Sequence, residues 1–452
     1  MIIRLNNYKQ QKEKVMQINK IVLTILSLLI LGFYGCEDTK DDVVDNTIDT
    51  PTSYVFESRF NEGESSVSYS GQTVRNMLLT DLKTMTDYPS NESGHAIELS
   101  SMMNLYNYDD ALDLSTWIST TPNPVETKYT SISTGKNLIG KTDGDVVLGY
   151  NQTAEALVTG WMQTIADNCT NADNIGSHLA VTDENGLNLS QMINKTLLGA
   201  VPYSQGISNY LAGLEGDDNS EAKGGTSPYT EMEHHWDESF GYFGAARDYN
   251  TGYSDDNDRK SGTYYDTDQN GAIDFKSEYI FGLAVNAAKR DAGAPDAMVD
   301  FTSAIFNAYL EGRTLIANEA TAEEIYAQRT IIANNWEKVI AATVVHYVND
   351  VYTDMTGLLE SGSTADPLSA DCADLNKHWA EMRGFTIALQ YNDFKLISDS
   401  QLNTIVDAMG DAPVHPSDGA TAFGTYHGVN LATIKSTLQA AYGFSDSNMS
   451  GW

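Results

Sequence analysis

The segment Ser227-Pro228-Tyr229-Thr230-Glu231-Met232-Glu233-His234-His235-Trp236-Asp237-Glu238 has the features of a helix that begins near its first residue. Ser227 can cap this helix, and Pro228 fits its first turn because no backbone N–H donor is needed there. Two glutamates fall early in the helix, where its dipole favours negative charge. His235 and Glu238 are three residues apart, so their side chains share one face about one turn apart. An imidazole and a carboxylate placed this way can bind one metal ion.

The same pattern, His-Trp-x-Glu-x-x-Gly-aromatic, occurs again 143 residues later (378 minus 235) in His378-Trp379-Ala380-Glu381-Met382-Arg383-Gly384-Phe385. We call residues 235–242 the first cassette and residues 378–385 the second cassette. The chain holds eight histidines and, among its rarest residues, six tryptophans, so a repeat of this kind predicts internal duplication. Lys195 and Lys338 extend the same offset, since each lies forty residues before the histidine of a cassette.

Two interpretations of the cassettes remain open. A pseudo-twofold axis would bring both imidazoles and both carboxylates to a shared interface, where His235, Glu238, His378 and Glu381 would suit zinc or iron better than calcium. Alternatively, each cassette is a folding signature whose histidine is hydrogen-bonded within its own bundle. His234 lies about 100° away round the helix, so we do not expect it on the ligand face.

Composition narrows the class of protein. The 452-residue chain is 41% hydrophobic, enough for a large core, and carries a formal net charge of −35. Such an acidic chain is not expected to bind nucleic acid, because a phosphate backbone requires a basic surface. The charge suits an extracytoplasmic protein that attracts cations, or it serves solubility alone.

The N-terminus is typical of a bacterial lipoprotein. A basic region precedes the short apolar stretch 21–33, and Phe33-Tyr34-Gly35-Cys36 is similar to a lipobox. We therefore predict a signal peptide over 1–35, lipidation of Cys36 and an acidic disordered tether over 36–53. These features indicate an outer-membrane lipoprotein, and the acidic run after Cys36 favours the cell surface over the periplasmic face. The other cysteines, Cys169 and Cys372, could pair in an oxidising compartment or remain buried free thiols.

Apolar residues recur at threes and fours over most of the chain, which predicts helices. The predicted segments are 73–85, 153–168, 189–213, 228–246, 277–291, 298–318, 322–358, 371–391, 398–409 and 430–441. We expect an all-α protein made of duplicated four-helix bundles, two pseudo-symmetric repeats at 54–250 and 279–452. A long irregular excursion, 87–150, interrupts the first repeat, and an acidic linker, 251–278, joins the two. The segment 322–358 is long enough that we expect it to bend or break.

The linker contains Asp266-Thr267-Asp268-Gln269-Asn270-Gly271-Ala272-Ile273-Asp274-Phe275-Lys276-Ser277-Glu278, which follows the EF-hand calcium loop. Oxygen ligands fall at positions 1, 3, 5 and 9, with glycine at position 6. At position 12 stands Ser277, and the glutamate comes one place late, which weakens the bidentate ligand. We predict a structural calcium site with the ligands Asp266, Asp268, Asn270, Ala272, Asp274 and Glu278; the alternative is a solvated acidic loop.

The two cassettes, the duplicated helical layout and the lipoprotein leader together resemble the imelysin-like (EfeO-like) family, and within it an uncharacterised branch of Gram-negative surface lipoproteins. The resemblance implies duplicated helical bundles and acquisition of iron or another metal at the cell envelope. A lipid-anchored receptor would capture a metal ion or metal chelate and deliver it to an outer-membrane transporter, with no catalytic residue.

Two other functions compete with this one. An imelysin-type metallopeptidase would use zinc to activate water. However, His-Glu-x-x-His is absent, and a tryptophan follows the histidine of both cassettes where a general base would stand. The second competitor is a structural or glycan-contacting surface protein, for which 25 tyrosines could supply stacking surfaces.

Overall fold

The helical periodicity of the sequence corresponds to helix in the computed structural model, which describes residues 48–108, 124–127, 129–254, 258–262, 264–293, 295 and 297–452. The predicted signal peptide, Cys36 and most of the tether lie outside the described residues, as does part of the excursion 87–150. The described residues hold isolated β-bridges and no strand. The all-α prediction is confirmed.

The α-helices, numbered along the chain, have the following bounds: α1 Ser70–Asp87, α2 Leu99–Asn107, α3 Tyr129–Ile132, α4 Ala154–Asn168, α5 Leu189–Leu198, α6 Glu231–Phe243, α7 Asp258–Ser261, α8 Gly282–Arg290, α9 Phe301–Ala317, α10 Ala322–Glu360, α11 Ala373–Ala388, α12 Asp399–Met409, α13 Ala420–Thr425, α14 Leu431–Tyr442 and α15 Asp446–Gly451. Two π-helical segments, Gly199–Leu211 and Tyr426–Asn430, continue α5 and α13.

Two helices differ from the sequence prediction in form. The segment predicted as one helix over 189–213 changes to π-helical winding after α5, in a stretch that includes Pro202. Proline lacks an N–H and clashes with the carbonyl four residues earlier, so regular α winding is costly there. By contrast, α10 runs unbroken for 39 residues, although its length had suggested a bend or a break. Its capping box at Thr321 and Glu324 defines where it begins.

The core extends through residues 48–452, which form one unit. Helix α6 packs against α1, α9 and the π-helical segment 199–211, whereas α11 packs against α5 and α10. The N-terminal and C-terminal parts of the chain therefore share packing partners, because α5 and its π-helical continuation contact α11 and α6 in turn. Trp336 on α10 lies between Tyr203 and Phe243 and is fully buried.

Cys169 and Cys372 are both buried free thiols, so the disulfide alternative does not apply. Within the described part of the chain, no helix combines the length and the apolar composition required to cross a membrane.

Candidate functional site

The helix that carries the first cassette begins at a capping box. Thr230 Oγ1 accepts a hydrogen bond from the backbone N–H of Glu233 at 3.1 Å, and Glu233 Oε2 accepts one from the N–H of Thr230 at 2.8 Å. Helix α6 therefore begins at Glu231, three residues after the predicted start at Pro228, because these bonds satisfy the first-turn donors. The Thr-x-x-Glu signature of this box was present in the sequence.

His235 lies between two carboxylates. Its Nδ1 is 2.7 Å from Asp217 Oδ2, and its Nε2 is 3.2 Å from Glu231 Oε1, one helical turn earlier. The ring also packs near Tyr210, with 5.4 Å between centroids. The hydrogen bond with Asp217 raises the pKa of His235 above its usual value, although burial acts in the opposite direction. The imidazole is therefore held between Asp217 and Glu231, and its side chain remains partly exposed.

Glu238 contacts a different set of groups. Its Oε1 accepts hydrogen bonds from Gln72 Nε2 at 2.7 Å and from the Tyr210 hydroxyl at 3.2 Å. Its Oε2 lies 3.7 Å from His234 Nε2. The sequence predicts that His235 faces Glu238 and that His234 does not, and this prediction is wrong. The histidines instead pair with carboxylates four residues away on α6: His234 with Glu238, and His235 with Glu231.

The second cassette repeats the orientation of the histidine. His378 Nδ1 is 2.7 Å from Asp354 Oδ2 on α10, and this hydrogen bond raises the pKa of His378 against the effect of burial. Glu381 Oε1 accepts a hydrogen bond from the Tyr347 hydroxyl at 2.9 Å and lies 3.4 Å from Lys195 Nζ. A lysine thus contacts this carboxylate where Gln72 contacts Glu238.

The two sets of partners have a common spacing that the sequence analysis missed. Tyr210 and Asp217 are seven residues apart, and so are Tyr347 and Asp354. The offset between these pairs is 137 residues (354 minus 217), six fewer than between the cassettes, so a search at one fixed offset does not find them. The repeated Tyr-x6-Asp pattern upstream of each cassette was the available signal.

The upstream lysines that do follow the offset of 143 are not equivalent in the structure. Lys195 contacts the second cassette, whereas Lys338 borders a separate cavity together with Asn335 and Tyr442. Their equal spacing therefore carries no information about the site.

The structure does not bring the four predicted ligands together. Among the described residues, one set of at least three potential ligands has its atoms within 4.8 Å of one another, and it consists of Asp266, Asp268 and Glu278. The cassette residues do not form such a set. His235 and His378 each have their own carboxylate partner on a different segment. One cation shared by both cassettes, as expected from a pseudo-twofold axis, is therefore not the arrangement found.

The repeated pattern of the two cassettes also has a packing role. The indole Nε1 of Trp236 donates to the Tyr309 carbonyl at 3.0 Å, and that of Trp379 donates to the Tyr426 hydroxyl at 2.6 Å. Both indoles are fully buried. A Cβ at Gly241 would lie 2.7 Å from Tyr69 Cβ, so only glycine permits this approach of α1 to α6.

The predicted calcium loop contains the convergent group of acidic side chains found among the described residues. Asp266, Asp268 and Glu278 supply atoms within 4.8 Å of one another, and Gly271 has a φ of +87°. Glu278 reaches this group although it lies one residue later than position 12 of an EF-hand loop. Its carboxylate lies across the loop and accepts hydrogen bonds from the N–H groups of Thr267 at 2.7 Å and Asp274 at 2.9 Å. The structure does not place Asp274 within the convergent group.

Other predicted members of this loop serve its backbone. Asn270 Oδ1 accepts a hydrogen bond from the N–H of Ala272 at 2.8 Å. Ile273 forms a parallel bridge with Val125, which joins the loop to the segment 124–126.

Comparison with known proteins gives one match. The family model described as "Domain of unknown function (DUF4856)" matches residues 51–377, more than half of the chain. The match includes the first cassette and the predicted calcium loop and ends one residue before His378. No curated protein and no solved structure matches.

Proposed function

The chain belongs to the DUF4856 family, and we propose that it is a cell-envelope lipoprotein that binds a metal ion or metal complex, iron foremost, for metal uptake. Its two cassettes provide two separate centres rather than one. The imelysin-like resemblance and the delivery of metal to an outer-membrane transporter belong to this proposal.

One observation carries it: both cassette histidines are oriented by an aspartate at the same distance. Asp217 and Asp354 lie 2.7 Å from Nδ1 of His235 and His378, from segments that differ in form. A carboxylate at Nδ1 directs the Nε2 lone pair outward and increases its basicity, as in many protein metal sites. The two histidine side chains are 25% and 24% exposed, so each ring is partly accessible to a ligand from solvent.

The first centre also has a second potential ligand. Glu231 Oε1 lies 3.2 Å from His235 Nε2, so a cation that replaces the proton between them would gain one nitrogen and one oxygen ligand. Because the pKa of His235 is raised, a proton competes with the metal, and binding should strengthen as pH rises. In the second centre, Asp350 is near enough to act electrostatically on His378.

Metal binding is favoured over hydrolysis by the residue that follows each histidine. Trp236 and Trp379 are fully buried and hydrogen-bonded in the core, so neither cassette offers a general base at that place. Placement at the envelope is supported by the lipobox at Cys36 and by the net charge of −35, which favours capture of cations.

The loop at residues 266–278 is a separate part of the proposal. Its three convergent carboxylates suit a hard cation such as calcium, and its bridge to the segment 124–126 suits a structural role.

The test is metal stoichiometry in purified, chelator-washed protein. Isothermal titration with Zn²⁺ and, under anaerobic conditions, Fe²⁺ should show two sites besides the calcium loop. His235→Ala and His378→Ala should each remove one site, and Asp217→Asn should weaken the first by about 10–100-fold. His427→Ala, which changes a histidine on the π-helical segment 426–430, is the matched control. Unchanged stoichiometry in the double cassette variant would refute the proposal.

A further inference from the structure

A polar cavity of about 330 Å³ opens beside the first cassette. It lies between the start of α1, the segment 136–141 and α6. Its lining includes Gln72, Arg75, Lys136, Lys141, His234 and Glu238. The volume is at the small end of the range for ligand sites in proteins.

Positive charge dominates this cavity, although the chain as a whole is strongly acidic. Arg75 is 7% exposed, and its Nη1 donates to the Gly71 carbonyl at 3.2 Å. A Cβ at Gly71 would lie 3.3 Å from both that Nη1 and the Cε of Lys136, so the two cationic side chains flank the first turn of α1. Lys141 Nζ lies 3.5 Å from the Tyr210 hydroxyl.

One carboxylate opposes these three cations, and its oxygens are already engaged. Glu238 accepts hydrogen bonds from Gln72 and Tyr210 and faces His234. Burial, followed by the charge of Arg75, lowers the pKa of Lys141. The charge of Arg75 therefore acts against that of Lys141, and a bound anion would relieve this repulsion.

Two further features supply hydrogen-bond donors. Tyr69 precedes α1 and gives it no side-chain cap, but its carbonyl accepts hydrogen bonds from the N–H groups of Gln72 and Thr73. Ser70 and Gly71, which line the cavity, carry the remaining N–H groups of the first turn. His234 Nδ1 is buried and has no hydrogen-bond partner among the described residues. Tyr229 stacks on His234, with 4.7 Å between ring centroids, and fixes the plane of that imidazole.

We propose that this cavity binds a small oxyanion, a carboxylate or phosphate group, through Arg75, Lys136, Lys141 and the first turn of α1. The site is distinct from the proposed metal centres: its lining includes His234 and Glu238, whereas His235 contacts Asp217 and Glu231. The positive charges of Arg75, Lys136 and Lys141 would also repel a metal ion bound at Glu238. This carboxylate is therefore assigned to the anion cavity and not to the first metal centre.

The test is titration of the purified full-length protein, washed free of metal, with inorganic phosphate and separately with citrate in a buffer that contains no oxyanion. We expect saturable binding of at least one probe. The double variant Lys136→Gln/Lys141→Gln should bind roughly tenfold or more weakly, because charge-assisted hydrogen bonds to the anion are lost. Lys377→Gln/Lys395→Gln removes the same net charge elsewhere and should bind like the wild type.

A second measurement does not depend on the folding of any variant. Raising NaCl from low to about physiological ionic strength and beyond should weaken binding to the wild-type protein several-fold, because the attraction is between charges. Any one of three results would overturn the proposal. Neither probe binds saturably, the double variant binds within twofold of the wild type, or salt has no effect on binding. His235→Ala should leave the affinity for phosphate and citrate unchanged, so failure of the metal proposal would be distinguishable.

Discussion

Replacement of Arg313 by methionine should destabilise the protein more than any surface change, because Arg313 neutralises two buried carboxylates on the helix that carries the first cassette. Its Nε lies 3.0 Å from Asp237 Oδ1, and its Nη1 lies 2.9 Å from Glu233 Oε1. Its Nη2 donates to Ser66 Oγ at 2.8 Å. The side chains of Arg313, Glu233 and Asp237 are all fully buried.

Removing one partner of a buried ion pair costs about 3–5 kcal/mol, because the remaining charge is left uncompensated. The low end, about 3 kcal/mol, is appropriate here, since each carboxylate keeps other donors. Asp237 still accepts from the Tyr54 hydroxyl at 2.8 Å, and Glu233 keeps the N–H of Thr230 at 2.8 Å and the Nε of Arg59 at 3.3 Å. Burial raises the pKa of Asp237 to about 6 despite Arg313, so the penalty should be smaller at pH 5, where Asp237 can take a proton.

The assay is urea unfolding followed by circular dichroism at pH 8 and pH 5. The triple variant Arg313→Met/Asp237→Asn/Glu233→Gln neutralises both carboxylates that lose Arg313 and should recover most of the loss, since glutamine also completes a capping box. Arg329→Met is the matched control, because the carboxylate partner of Arg329, Glu215, is 67% exposed and the change should cost about 1 kcal/mol or less. A loss below about 1 kcal/mol for Arg313→Met, or a triple variant as unstable as the single one, would refute this reasoning.

Two further predictions concern pH and calcium. Because Asp217 and Asp354 raise the pKa of the cassette histidines, the stability they contribute is fully present below the usual imidazole pKa of about 6.5 and is lost as pH rises through the raised value. Asp217→Asn/Asp354→Asn should therefore flatten the decline in unfolding free energy of the metal-free protein between pH 6 and pH 8.5, by about 0.5–1 kcal/mol per pair, as measured by urea unfolding. Calcium at 100 times its dissociation constant should stabilise the folded wild-type protein by about 2.7 kcal/mol and so raise its melting temperature. The variant Asp266→Asn/Asp268→Asn should show no such shift in thermal melts.

Matched variants separate these effects from general changes in charge. For the pH series, Asp399→Asn changes a carboxylate on the exposed start of α12, and it should leave the decline intact; an equal decline in the double variant would contradict the assignment to the histidines. For the calcium series, Asp446→Asn should keep the wild-type shift. A wild-type melting temperature that is the same in calcium and in chelator would show that the loop is solvated and empty in solution.

The sequence predicted helices well where apolar spacing and capping residues act locally. The long helix that became α10 and the helices near 153–168 and 399–409 follow directly from periodicity, because a side chain that must be buried every three or four residues selects one backbone form. Helix α6 begins at Glu231 and not at Pro228, because the capping box of Thr230 and Glu233 sets its start and Ser227 does not.

The repeat of the two cassettes is evident from the sequence, but the residues that contact their side chains could not be predicted from the cassettes. His-x-x-Glu spacing places two side chains on one helical face, yet the groups those side chains contact come from other segments: Asp217 and Tyr210 in the first case, Asp354 and Tyr347 in the second. A six-residue difference in offset concealed these partners.

The sequence by itself determined the all-helical class, the positions of most helices, the acidic character and the existence of two matching cassettes, because these properties depend on residues close together in the chain. Only the tertiary structure decided that the histidines of the two cassettes have separate aspartate partners, that His234 rather than His235 lies against Glu238, and that Arg75, Lys136 and Lys141 meet at one cavity. The physical reason is that such contacts depend on how helices pack and rotate against one another, and burial of their tryptophans and glycines sets that packing across more than a hundred residues of chain.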